Sequence, residues 1–207
     1  MEMAMRVKTD ATRQRIIAAA TKVFHEYGYS GASMAMVSAG LGGSKQTLYR
    51  YFPSKEELFL AVMFEAAIDH AAPVFEVLRP SDDLRLTLER FGIGYLNLAL
   101  TPEALATRRM SITEGPRAGI GKLLFDRGPK VVWSRVATFM EDEMKARRLR
   151  AADPWKVAMH FRGLLESDTV DRVLVGAADR IGPTAIRLAA KDAADVLLRA
   201  YEAAAVA

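Results

Sequence analysis

Residues Ser33 to Phe52, SMAMVSAGLGGSKQTLYRYF, restrict what this chain can fold into more than any other stretch. Met34, Val37 and Leu41 recur at i, i+3 and i+7, the spacing that lays apolar side chains along one face of a helix. Gly42 and Gly43 interrupt the pattern, and glycine tolerates the positive φ that a sharp turn between helices demands. Ser44 follows as an N-cap, and Leu48 and Phe52 keep an i, i+4 apolar face for a second helix beginning at Lys45. Two short helices joined this way form a helix-turn-helix. Its second helix turns Lys45, Gln46, Thr47, Tyr49, Arg50 and Tyr51 away from the core. Cations, an amide, a hydroxyl and phenols suit phosphates and base edges, and no acid stands among them.

Charge follows the same segment. Through Lys55 the chain has eight Lys or Arg against three acids, whereas the remaining residues hold 21 bases and 22 acids. Basic charge confined to one end is the footprint of a polyanion site.

Nearly every other segment has helical period, so the fold class is all-α, with about nine helices expected. The first is expected from an N-cap at Asp10 to Tyr27, with Ile16, Ile17, Ala20, Val23, Phe24 and Tyr27 inward and Gly28 as its stop. Ser54 and Glu57 form a capping box for a helix that continues through Pro73. Ser81-Asp82-Asp83 opens the next. Thr101-Pro102-Glu103 opens another, which Gly115-Pro116 is expected to stop. A long helix from about Lys122 to Leu149 should turn Phe125, Val132, Val136, Phe139 and Met140 inward. Asp153-Pro154 and Gly182-Pro183 start the last two. Domains are expected at 1–55, a three-helix head, and at 56–207, a larger helical body.

The head resembles the DNA-binding domain of the tetracycline-repressor (TetR) family of bacterial regulators. The resemblance rests on the run Arg13 to Ala20, on Phe24-His25-Glu26-Tyr27-Gly28-Tyr29 and on the turn Gly42-Gly43-Ser44-Lys45. Thr47-Leu48-Tyr49-Arg50-Tyr51-Phe52 and Ser54-Lys55-Glu56-Glu57-Leu58 complete it. Gly43 stands where valine is usual and Ser38 where alanine is. The body resembles one branch of the same family through Phe91-Gly92, Tyr95, Pro102-Glu103, Arg108-Arg109, Glu114, Phe125, Gly128-Pro129, Asp153-Pro154 and Phe161 to Leu165. Glu114-Gly115 replaces the usual Glu-Ala there, which implies a shortened sixth helix.

Catalytic and metal chemistry find no support. Gly119-Ile120-Gly121-Lys122-Leu123 lacks both the first glycine and the hydroxyl of a P-loop. Gly92-Ile93-Gly94 has no third glycine and no preceding strand. His25, His70 and His160 are isolated, and Glu141-Asp142-Glu143 reads as a solvated face. No enzyme, metal or cofactor is expected. The chain has no cysteine, no apolar run of membrane-spanning length and no signal-peptide core at its start, so a cytoplasmic location is expected.

The expected function is a DNA-binding transcriptional regulator, a repressor released from its operator by a small molecule. The alternatives are a constitutive or activating regulator without a ligand, and a helical scaffold or enzyme. Ser33 and Ser44 at helix N-termini, with Tyr49, Tyr51 and Lys55, are the expected phosphate contacts; the resemblance singles out Tyr49 and Lys55. Lys45, Gln46 and Thr47 are the expected base contacts, and Arg6 and Lys8 form a basic arm. Helix bundles hold ligands between helices. Phe64, Ile68, Phe91, Tyr95, Met110, Trp133, Phe161 and Leu165 are candidates for such a pocket, with Arg108, Asn97 or Glu114 as polar anchors. The family implies a homodimer through the last two helices, for which Val173, Leu174, Ile186, Leu188, Val196, Leu197 and Tyr201 offer apolar surface.

Overall fold

A computed structural model describes residues 2–42, 45–79 and 83–203, with side chains described outside 2–9 and 65–72. The described residues form α1 (Glu2–Gly31), α2 (Met34–Leu41), α3 (Lys45–Tyr51), α4 (Lys55–Phe75), α5 (Leu84–Ala99) and α6 (Pro102–Ala118). They continue with α7 (Gly121–Arg127), α8 (Pro129–Lys145), α9 (Pro154–Glu166), α10 (Val170–Leu174) and α11 (Pro183–Tyr201). Among these residues the extended pairing is confined to one bridge between Leu149 and Glu202, so the chain is all-α. Counting α1 as two segments across a kink at Gly28 gives twelve helices instead of about nine.

The additional helices come from local breaks. A residue before proline is pushed out of the α region. Gly128 accordingly lies at φ −112°, ψ −99°, and Pro129 takes the first turn of α8, splitting the expected Lys122–Leu149 helix in two. Past α9, the Thr169 hydroxyl donates to the Leu165 carbonyl (2.6 Å), and α10 starts anew. Conversely, Gly115-Pro116 does not stop α6. Ile112 and Pro116 are both exposed, so the carbonyl that Pro116 leaves without an amide partner is on the solvent side. The helix ends later, where Gly119 adopts φ 68° and the Ile120 amide donates to the Gly115 carbonyl (3.1 Å). Glycine at 115 has its own cause, since a Cβ there would lie 3.3 Å from the Gly121 Cα.

The chain divides into two compact units, Met1–Ile68 with Met110–Arg127, and Asp69–Arg109 with Gly128–Ala207. In the first, α1 begins at Glu2, not at Asp10, and bends at Gly28. That bend re-phases the following turn: Tyr29 is buried and Tyr27, expected inward, is exposed. Phe24, Tyr29 and Phe59 cluster there, with ring centroids 4.9 Å apart for both pairs that include Phe59. Ile16, Ala20, Val37, Leu48, Phe52, Leu58 and Leu124 complete this core. Because α7 is a separate helix, its buried residue is Leu124, and Phe125 faces outward.

In the second unit α5 packs on α11, and α9 packs on α8 and α11. Gly92 makes the α5 approach possible: a Cβ there would come within 2.9 Å of Leu165 Cδ2 and 3.0 Å of Ala190 Cβ. Phe91, Leu96, Trp133, Val136, Met140, Phe161 and Leu165 are its buried centre. Glu143, read as solvated, is buried instead, and the Arg148 guanidinium donates to its carboxylate (2.8 Å).

Candidate nucleic-acid interface

Ser33 is extended (φ −134°, ψ 153°), and its hydroxyl accepts from the Met36 amide at 3.2 Å, capping α2. At the other end Gly42 is left-handed (φ 58°) and its amide donates to the Ala39 carbonyl, which explains why the apolar pattern breaks there. Gly43 and Ser44 lie outside the described residues. In α3, Leu48 is fully buried, and Phe52 just beyond it is buried as well. Lys45, Gln46, Tyr49 and Arg50 are exposed, and Thr47 and Tyr51 are half-buried. The cationic groups of Arg13 and Arg50 lie over the Phe52 and Tyr51 rings, at 5.1 and 5.3 Å. The backbone of Arg6 and Lys8 belongs to α1, and their side chains lie outside those described.

Lys55 has a second occupation that sequence reasoning missed. Its ammonium donates to the carbonyls of Tyr29 (2.9 Å) and Ala32 (3.1 Å) and sits 4.3 Å from the Tyr29 ring centre. It thereby ties the start of α4 to the turn between α1 and α2. The Tyr29 hydroxyl donates to Glu56 (2.8 Å). Burial first, and then that carboxylate, push the Tyr29 phenol up. Glu56 is held below the usual carboxylate range by its own backbone amide, by Tyr29 and by Ser54. The Ser54 hydroxyl also accepts from the Glu57 amide (3.2 Å), the N-cap half of the expected box.

The pocket candidates fall into two groups. Phe64 and Met110 pack against the core of the first unit, and the side chain of Ile68 lies outside those described. Phe91, Tyr95, Trp133, Phe161 and Leu165 meet in the second unit, where the Tyr95 ring stands 5.0 Å from Trp133 and 6.0 Å from Phe91. Beside them is a polar knot. The Glu166 carboxylate accepts from Tyr95 OH, from Arg108 (2.7 Å) and from Arg162 (3.1 Å). Burial pushes Glu166 up, but Arg108 and Arg162, aided by Tyr95, outweigh it and hold the carboxyl below its ordinary value. Asn97 is exposed, and Glu114 belongs to the first unit, where its carboxylate accepts from the Tyr29 amide (2.9 Å).

A groove of about 450 Å³ runs between α9 and α11, lined by Met159, Gly163, Leu164, Val196, Ala200 and Tyr201 among others. Val196 and Leu188 are exposed on α11, whereas Val173, Ile186 and Leu197 are buried within this chain. His160 Nδ1 and the Tyr201 hydroxyl share a hydrogen bond of 2.6 Å at the groove.

Residues 16–62 match the family described as bacterial regulatory proteins, tetR family, and residues 86–203 match the AefR-like transcriptional repressor C-terminal domain. The chain is 36% identical over 90 residues to the HTH-type transcriptional activator FasR of Mycolicibacterium smegmatis, covering 42% of this chain and 41% of FasR. It is 36% identical over 76 residues to the HTH-type transcriptional repressor AcnR of Corynebacterium efficiens, covering 37% and 40%. These matches span about two fifths of the relatives' length. Among solved structures it is similar to the flavonoid-responsive regulator FrrA, with a TM-score of 0.77, 28% identity and coverage of 93% and 98%. A TetR-family regulator from Mesorhizobium loti shares the fold at a TM-score of 0.77 and 23% identity, covering 94% and 98%.

Proposed function

Because the chain belongs to the tetR family of bacterial regulatory proteins, we propose that it is a dimeric transcriptional repressor that binds operator DNA through α3 and leaves it when a small molecule binds the body. The observation that carries this reading is α3 itself, a helix without a single acid that buries Leu48 and presents Lys45, Gln46, Tyr49 and Arg50 to solvent. Lys45, Gln46 and Thr47, on the first turn, read base edges. Ser33, Ser44, Tyr49, Tyr51 and the remaining donor of Lys55 hold phosphates. So short a helix makes few contacts, so two copies are needed, at half-sites about 34 Å or a multiple apart.

The second copy docks on the α9–α11 groove. Val196 and Leu188 supply exposed apolar surface, and a Cβ at Gly163 would meet nothing within 4 Å, which leaves room for a partner's side chains. Residues 1–55 would then serve DNA binding, and 56–207 ligand binding and dimerisation, in the cytoplasm. The similarity to a flavonoid-responsive regulator and the aromatic group of Phe91, Tyr95, Trp133 and Phe161 favour an aromatic effector. Both α4 and α6 contain the points at which the chain passes from one unit to the other, and they are the natural carriers of the signal. By linkage, operator DNA must weaken effector binding by the same factor as effector weakens DNA binding.

Selection of duplexes from a random pool, followed by titration at several salt concentrations, tests the DNA reading. The expected slope of log K against log salt is about −0.9 per phosphate neutralised. A protein that enriches no sequence and shows no salt dependence is not a DNA-binding regulator.

A further inference from the structure

One carboxylate outside α3 accepts from backbone amides of the turn that leads into α2. At Gly28 the backbone leaves helical geometry (φ 65°, ψ 177°), and the turn Tyr29–Gly31 follows before α2. A helical turn that starts afresh has orphan amides. Two of them, on Tyr29 and Ser30, donate to Glu114 Oε2 at 2.9 and 3.4 Å, a carboxylate 84 or 85 residues further along the chain. A Cβ at position 28 would stand 3.3 Å from Glu114 Oε1, so Gly28 both makes the bend and leaves room for the carboxylate.

The carbonyl side of the same turn is held by Lys55, through Tyr29 O and Ala32 O. The turn is thus gripped from both polarities: an ammonium on its carbonyls and a carboxylate on its amides. Ser33, the N-cap of α2, is the next residue, and α2 packs on α3.

We propose that Glu114 is a positioning residue for DNA binding: it fixes the α1–α2 turn in the arrangement in which Ser33 and α3 can engage one duplex together. This rests on the DNA-binding reading above. Glu114 sits on α6, six residues beyond Arg108, whose guanidinium is bound to Glu166 in the second unit. Displacing α6 by about an ångström would carry the 2.9 Å bond beyond hydrogen-bonding range. The carboxylate is therefore the part of α6 whose withdrawal would release the turn.

The test uses the full-length protein, Glu114→Ala and Glu114→Gln, and a duplex enriched from a random pool by the wild type. Amide exchange at Tyr29 and Ser30 is followed alongside DNA affinity and thermal unfolding. Glu114→Ala should bind about ten-fold more weakly, the low end of what charge-assisted hydrogen bonds contribute. Exchange at the two amides should rise by a similar factor. Glu114→Gln keeps a carbonyl acceptor and should recover most of both. A merely structural residue would lower the melting temperature and leave the affinity of the folded protein unchanged, which overturns the proposal. So do unaltered exchange and affinity in Glu114→Ala. Should the alanine variant fail to fold, Glu114→Leu, which keeps the bulk of the side chain but offers no acceptor, decides through the same two readouts, and wild-type values for both sink the idea. A wild type that enriches no sequence removes the DNA-binding reading and this proposal together, an outcome visible before any variant is made.

Discussion

Val196→Glu offers a direct test of the groove between α9 and α11. Val196 retains 46% of its surface in water within one chain, so about half of its apolar area is available to a partner. Burying a valine completely stabilises by roughly 1.5–3 kcal/mol, so the available half is worth about 1 kcal/mol. A two-fold dimer uses the same patch twice, which doubles the loss to about 2 kcal/mol. Each new carboxylate must also lose water against apolar neighbours such as Met159 and Leu164, a further cost of at least 1–2 kcal/mol per dimer. The total is about 3–4 kcal/mol, or roughly a hundred- to a thousand-fold weaker association at 1.4 kcal/mol per decade. Sedimentation velocity across a concentration series should give a folded monomer with an unchanged helical spectrum and much weaker DNA binding. Leu197 makes a poor probe despite standing next in sequence, because it is only 1% exposed in the single chain and a charge there would damage the core. A Val196→Glu dimer as tight as wild type would refute the assignment of this groove.

Four other substitutions probe the rest of the molecule. Glu166→Gln should cost about 3 kcal/mol at neutral pH, the low end for a broken buried pair, because Arg108 and Arg162 keep 28% and 21% of their side chains in water. Glu166 titrates below its ordinary value of 4.5, so its stabilisation is present above that pH and is lost as pH falls through the folded-state value. The difference in unfolding free energy between wild type and variant should therefore shrink below about pH 4.5; a constant gap would contradict the charge-pairing account. Gln46→Ala should relax sequence preference at one or two positions, by ~1–3 kcal/mol of discrimination in a site-selection experiment, whereas Lys55→Ala should weaken all duplexes alike and also lower the melting temperature. Identical preferred sites for wild type and Gln46→Ala would remove Gln46 from the readout. Gly92→Val should destabilise by at least ~1–3 kcal/mol through overpacking against Leu165 and Ala190, read by chemical denaturation; wild-type stability would show that α5 and α11 can separate without cost.

Local chemistry was legible in the chain. The i, i+3, i+7 spacing of Met34, Val37 and Leu41, the Gly42 break and the Ser33, Asp83 and Asp153 caps each involve neighbours within about one turn, and all recur in the fold. Leu48 and Phe52 inward with Lys45, Gln46 and Tyr49 outward follow from helical phase alone. Phase fails as a guide wherever the backbone breaks, which is why Tyr27 and Phe125 were expected inside and Tyr29 and Leu124 took their places. Apolarity, equally, does not state which partner buries a residue: Leu197, Ile186 and Val173 resemble Val196 in sequence, yet they serve their own chain's core. The meetings over long separations were wholly a matter of tertiary structure. Glu114 reaching the amides of Tyr29 and Ser30, and Glu166 gathering Tyr95, Arg108 and Arg162, join groups up to 85 and 71 residues apart. A carboxylate carries no mark of its partner until packing excludes water from it, and that exclusion is decided by the whole fold.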